Sequence, residues 1–303
     1  MSTIILLTVT GLGLGALYFL VASGLSLIYG LMGVLNFAHG SFLTLGAFIG
    51  WQTAQALGAG GWGVFFISLA VGAVTGAVFA ALTERILIRP LYQRHIEQVL
   101  VTVGLSLASV ALFEGIWGTD PSFITGPAWL KETTELFGAR IPNDRFVAIL
   151  AAALVLGALL LFLKKTRYGM IIRAGVENRS MVTALGIDVR KAFTLVFTIG
   201  GAAAGMGGVL ASHYFGYVSP LLGGSLLIFA FIVTVIGGLG SLTGAALASV
   251  AVGILQQFAN FYWCVVFAPG GSLWWCWLSW WCVVVLLVLH VLGSCDIREK
   301  NNI

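Results

Sequence analysis

Charge is the scarcest feature of this sequence. Asp, Glu, Lys and Arg together make 9% of its 303 residues, against roughly 25% in soluble domains. None of the four occurs between Ser2 and Thr83, or between Ala192 and Cys295. A mean hydropathy of +1.04 and 59% hydrophobic residues leave a soluble fold no means of hiding its apolar surface. The chain also lacks a Walker lysine loop, an HExxH pair and any Cys/His cluster at metal-ligand spacing. Its four His residues are scattered, none beside an acid at a catalytic spacing. These absences argue against an enzyme. The run Gly11-Leu12-Gly13-Leu14-Gly15 is no nucleotide loop, because such a loop follows a strand and opens an amphipathic helix, whereas this one lies inside an apolar run.

What is present is long hydrophobic sequence. A spanning helix needs about 20 apolar residues, so the charge-free stretches cross a bilayer several times. The expected architecture is all-α: a polytopic membrane helical bundle of about 8–9 transmembrane segments, one transmembrane domain over residues 1–303. Expected spans are 4–29, 34–51, 62–82, 98–117, 146–163, 192–212, 223–240, 243–267 and 273–292. The first is too long for a signal-peptide core and reads as a retained span. The 40 glycines recur at small-xxx-small spacing, as in Gly46/Gly50, Gly72/Gly76, Gly201/Gly205 and Gly240/Gly244. Close backbone approach at small residues is what packs helices in lipid, so the bundle should be tight.

Basic residues concentrate in two short loops. The 84–97 loop carries Arg85, Arg89 and Arg94, and the 164–191 loop carries seven Lys or Arg against Glu177 and Asp188. The 119–145 loop has three basic and four acidic residues. By the positive-inside rule the first two face the cytoplasm and the third faces outside, with the N-terminus outside. The pI near 9.0 therefore reports topology, not a nucleic-acid partner.

Two segments break the apolar pattern. In GLMGVLNFAHGSFLTLGAF, residues 30–48, the polar Asn36, His39 and Ser41 sit among Gly30, Gly33 and Gly40. Polar groups at membrane depth find partners or line a wet cavity. The cluster is therefore either a Gly-broken helix on a transport route, with Asn36, Phe37, His39, Gly40 and Ser41 along it, or a helix start capped by Asn36. Residues 223–247 echo the same Gly-rich pattern. Of the carboxylates, only Glu114 is expected inside a span, with Glu97 at the edge of the same one.

The second segment is RAGVENRSMVTALGID, residues 173–188. Asn178 suits an N-cap and Gly186 suits the position past a helix end. The residues between make about two turns, with Met181, Ala184 and Leu185 on one face. So short a helix is not stable alone. Its apolar face rests either on lipid headgroups or on a cytoplasmic partner.

From about residue 10 to 257, these segments, together with VRKAFTLVFTIGGAAAGMGGVL and VIGGLGSLTGAALASVAVGIL, resemble in order and spacing the permease subunits of branched-chain amino acid ABC importers. The resemblance implies a divergent EAA loop at GVENRSMVTALGI, with Met181 or Val182 near the position of its alanine. It makes the short helix a coupling helix seated in a groove of an ATP-hydrolysing subunit, with Glu177, Asn178, Met181, Ala184, Leu185, Gly186 and Ile187 as contacts. It also implies two ATP-binding subunits, which hold ATP and Mg so that this chain needs no cofactor. A homologous permease or second copy, an extracytoplasmic binding protein and a bacterial inner-membrane location complete the expectation. Urea, short amides or a sugar are the alternative substrates, and an ATP-independent carrier or channel is the alternative mechanism.

The end departs from that family. All four Cys (264, 276, 282, 295) and six of ten Trp fall in residues 261–303. Codons of the type CTG-GTG-GTG-CTG, read one base later, give Trp-Trp-Cys, so a shifted reading frame is the expected origin of WWCWLSWWC.

Overall fold

The computed structural model describes residues 2–33, 35–58, 60–92, 94–136, 138–177 and 189–267. Helix α1 (Ser2–Met32) is followed by α2 (His39–Ala56), α3 (Trp62–Thr83) and α4 (His95–Trp117). A crossing segment then holds β1 (Ser122–Phe123), the single turn α5 (Ala128–Lys131), β2 (Thr133–Leu136) and β3 (Ala139–Pro142). Helices α6 (Asp144–Lys165), α7 (Arg167–Glu177) and α8 (Val189–Phe215), the short strand β4 (Tyr217–Val218), α9 (Leu222–Gly237) and α10 (Leu242–Phe267) complete it.

Six helices among the described residues are long and apolar enough to cross a membrane: α1, α3 with its extension to Leu91, α4, α6, α8 and α10. Helix α9 is apolar but shorter. Helix α2 lies in the middle of the bundle, with Thr44 and His39 buried against neighbouring helices. A helix surrounded by protein tolerates polar residues that a lipid-facing one does not. The expected span 273–292 lies outside the described residues.

Glycine decides which helices touch. The i, i+4 pairs Gly46/Gly50, Gly72/Gly76 and Gly201/Gly205 meet at a single junction of α2, α3 and α8. A Cβ added at Gly46 would stand 2.5 Å from the Gly205 Cα, and one at Gly76 would stand 2.9 Å from it. No side chain fits at such a contact, so backbones approach as small-residue packing requires. A second contact joins α1 and α10, where a Cβ at Gly11 would meet the Ile254 Cα at 2.7 Å. The fourth spaced pair, Gly240/Gly244, lies at the turn between α9 and α10, where a Cβ at Gly240, φ +86°, would stand 2.9 Å from the Gly30 Cα of α1 and one at Gly244 would meet the Gly237 backbone of α9.

The two arginine-bearing loops share one end of the bundle, where Arg85, Arg89, Tyr168 and Lys191 line one cleft. At the opposite end β1 pairs antiparallel with β4, Ser122 opposite Val218, and the Trp51 indole N–H donates to the Phe123 carbonyl at 3.2 Å. Between α6 and α7 the Thr166 hydroxyl accepts the Gly169 N–H at 3.0 Å, an N-cap that starts α7. Sequence spacing places a helix in the 164–191 loop only at 179–185; α7 is an additional one, built on this cap and on the buried Ile172.

Candidate functional site

The polar break at residues 30–48 starts where α1 stops. Gly33 takes φ +68°, a left-handed value that turns the chain out of the helix. The Asn36 side-chain oxygen then accepts the Ala38 N–H at 3.1 Å, and its carbonyl accepts the His39 N–H at 3.3 Å. This is an Asx turn rather than a cap on the helix proper. Helix α2 therefore begins at His39, five residues later than the expected start at 34, and runs on to Ala56.

The five candidate residues of this break divide into two groups. His39 is fully buried, its Nε2 lying 3.1 Å from the Val21 carbonyl and its ring edge-on to Phe42. Gly40 packs on the backbone of Gly223, and Ser41 is buried. Beside them the Thr44 hydroxyl accepts the Gly223 N–H at 3.0 Å. These three sit in helix packing around α2.

Asn36 and Phe37 face space. Phe37 tilts against Phe231, their rings 5.0 Å apart, and borders an open cavity of about 480 Å³ with Tyr29, Leu35 and His95. Asn36 borders a small enclosure of about 10 Å³ with Gln98, Thr102, Met32, Leu35 and Phe197. Leu35 stands between the two cavities and lines both. The amide nitrogens of Asn36 and Gln98 are buried there without a hydrogen-bond partner. Both are donors only, so what they lack is an acceptor. An enclosure of this size holds about one water.

Sequence reasoning did not single out Gln98 and Thr102. The signal was available: they stand at i, i+4 in an otherwise apolar helix, and with Ser109 and Phe113 they form the buried stripe of α4.

A second correction concerns the acids. Glu84, not only Glu114, lies within a spanning segment. The helix of α3 continues through a π-helical turn, Glu84–Ile88, and a 3₁₀ turn, Arg89–Leu91. That continuation carries the Glu84 carboxyl fully inside the bundle, where Tyr92 donates to one oxygen and Thr194 of α8 to the other at 2.7 Å. The neighbouring Arg85 and Arg89 made the segment look like an exposed loop. Glu114 is half-buried one turn from the end of α4, and Glu97 pairs on the surface with Arg94 at 3.1 Å.

Of the candidate coupling residues, Asn178, Met181, Ala184, Leu185, Gly186 and Ile187 lie outside the described residues, and Glu177 is the last residue of α7. The described chain leaves this segment again at Val189, the first residue of α8. Five residues on, in that same helix, stands Thr194.

Comparison with known proteins adds to this geometry. Residues 7–292 match the family described as "Branched-chain amino acid transport system / permease component". The chain is 31% identical over 261 residues to the high-affinity branched-chain amino acid transport system permease protein LivH of Escherichia coli strain K12, covering 83% of this chain and 84% of that one. It is 28% identical over 259 residues to the corresponding protein BraD of Pseudomonas aeruginosa, covering 82% and 84%. It is also 29% identical over 256 residues to the fructose import permease protein FruF of Bifidobacterium longum, covering 82% and 69%.

Proposed function

The chain belongs to the family of branched-chain amino acid transport system permease components; from that premise we propose that it is the membrane subunit of an ATP-driven importer for branched-chain or related amino acids in a bacterial inner membrane. The observation that carries this reading is the match over residues 7–292, which takes in the polar break, the 173–188 segment and the glycine junction together.

In this reading a soluble binding protein delivers the solute on the side of the 119–145 loop. Two ATP-binding subunits dock at the basic end and hold ATP and Mg; no cofactor is needed on this chain. Closure of those subunits is relayed through Glu177 to Ile187 into α7 and α8. A homologous permease or a second copy stands beside the chain.

Asn36, Phe37, His39, Gly40 and Ser41 border the translocation route, to which we add Gln98 and Thr102. The two unpartnered amides support that assignment, since they present donors to an acceptor-rich solute such as a carboxylate. The apolar Met32, Leu35 and Phe197 around them suit an aliphatic side chain. At about 10 Å³ the space is too small for such a solute, so the elements that line it must separate for one to enter.

A second reading, a sugar permease, is favoured by the similarity to the fructose importer subunit. Uptake into proteoliposomes holding the chain with its ATPases and binding protein separates the two. Labelled leucine, isoleucine or valine accumulating only with ATP supports the first. ATP-driven accumulation of fructose with no amino acid uptake supports the second, and accumulation without any ATPase makes the protein an autonomous carrier.

A further inference from the structure

We propose that the basic end of the bundle carries a binding site for the headgroup of an anionic phospholipid, in the cleft between the end of α3, the start of α7 and α8. The cleft has a volume of about 600 Å³. Arg85, Arg89 and Lys191 bring three cations to it, the Tyr168 ring forms part of its edge, and Leu195 and Ile199 form an apolar wall. Arg85 is exposed and Arg89 half-buried. Among the described residues neither arginine makes an ion pair or a side-chain hydrogen bond.

Among the described residues no acid lines the cleft. The nearest one shown, Glu84, is buried with its oxygens engaged by Tyr92 and Thr194. Thr198, also on the cleft, donates its hydroxyl proton to the Thr194 carbonyl at 2.7 Å. What the cleft offers a ligand is therefore positive charge over an apolar floor. Guanidinium groups favour phosphate through planar, paired N–H donors.

Depth and continuity make the ligand a lipid rather than a free phosphate. Arg85 lies 23 residues after Trp62, about 35 Å along a helix at 1.5 Å per residue. The hydrocarbon layer is about 30 Å thick. With Trp62 at one interface, Arg85 and Arg89 arrive at the headgroups of the other, where basic pockets between helices hold anionic lipid. Val78, Leu82 and Ile86 are 53%, 48% and 66% exposed. They form a lipid-facing stripe at i, i+4, i+8 that leads straight to the two arginines and gives the acyl chains a track.

The test is native mass spectrometry of the detergent-solubilised full chain. Phosphatidylglycerol is titrated against phosphatidylcholine of the same acyl chains, with inorganic phosphate as competitor. The wild type should hold one phosphatidylglycerol about tenfold more tightly than phosphatidylcholine. R85A/R89A should lose that preference, and K164A/K165A, altered at a different basic site, should keep it. Thr198→Phe, which narrows the cleft and leaves both arginines in place, should also lose it; this separates occupancy of the cleft from general loss of charge. Size-exclusion profiles identify variants that fail to fold, and where R85A/R89A fails, Thr198→Phe decides. Equal binding of the two lipids to the wild type overturns the proposal. So does unchanged preference in a folded cleft variant. Displacement by millimolar phosphate at the same sites would assign the cleft to free phosphate and overturn the lipid claim.

Discussion

The Thr194 hydroxyl donates to the Glu84 carboxyl at 2.7 Å, across 110 residues of sequence. That bond fastens the π-helical turn at the end of α3 to the first turns of α8, the helix that leaves the 178–188 segment. Tyr92 holds the second oxygen and packs edge-on against Phe193, ring centroids 4.8 Å apart. A π turn is a frequent mark of a functional position, since it inserts a residue into the helical register. In the proposed importer, motion of residues 177–187 would pass from α8 to α3 through this contact.

Thr194→Val removes the donor at nearly constant volume and leaves a buried carboxyl oxygen one partner short. Such a loss costs about 1–3 kcal/mol. The variant should melt at a lower temperature in detergent, and ATP hydrolysis by the assembled transporter should respond less to the loaded binding protein. A melting curve and stimulation ratio equal to wild type would remove Glu84–Thr194 from the relay.

Gln98→Leu separates stability from function. The change deletes an unpartnered buried donor and places an apolar group among Met32, Leu35 and Phe197. Its melting temperature should equal or exceed wild type, because an unsatisfied amide costs about 1–3 kcal/mol. Amino acid uptake should nevertheless fall at least tenfold. Undiminished uptake would show that the enclosure is not on the route.

Gly46→Val tests the junction of α2, α3 and α8. Its side chain would drive into the Gly205 backbone, where no rotamer change relieves the clash. Overpacking of this kind costs about 1–3 kcal/mol or more, and the yield of monodisperse protein should collapse. Gly104→Ala is the control: nothing lies within 4 Å of its added Cβ. It should be neutral or stabilise by up to about 1 kcal/mol, the helix-propensity difference. Equal tolerance at both positions would show that close glycine contact does not hold the bundle together.

These residues also show what can be read from sequence. Helix positions followed from hydrophobic runs bounded by polar loops, and all four spaced glycine pairs stand at close helix contacts. Boundaries failed where side chains compete for backbone groups, as when Asn36 took the Ala38 N–H and delayed α2. Glu84 was hidden because its burial depends on a π turn and on Thr194, which is 110 residues away and leaves no local pattern. Gln98 and Thr102 carried a weak local signal that needed the facing Asn36 to acquire meaning. His39, polar and conspicuous, packs against Val21 and Phe42, a placement set by α1 that its own segment does not encode.

The reading of this chain as an ATP-coupled permease is tested most directly by co-purification with its candidate ATPase, comparing wild type with Met181→Glu and Leu185→Glu. The wild type should retain the ATPase through size exclusion, and both variants should elute as folded permease without it. A wild type that never holds the ATPase, or charged variants that hold it equally well, would contradict coupling through residues 177–187 and leave a carrier that works alone.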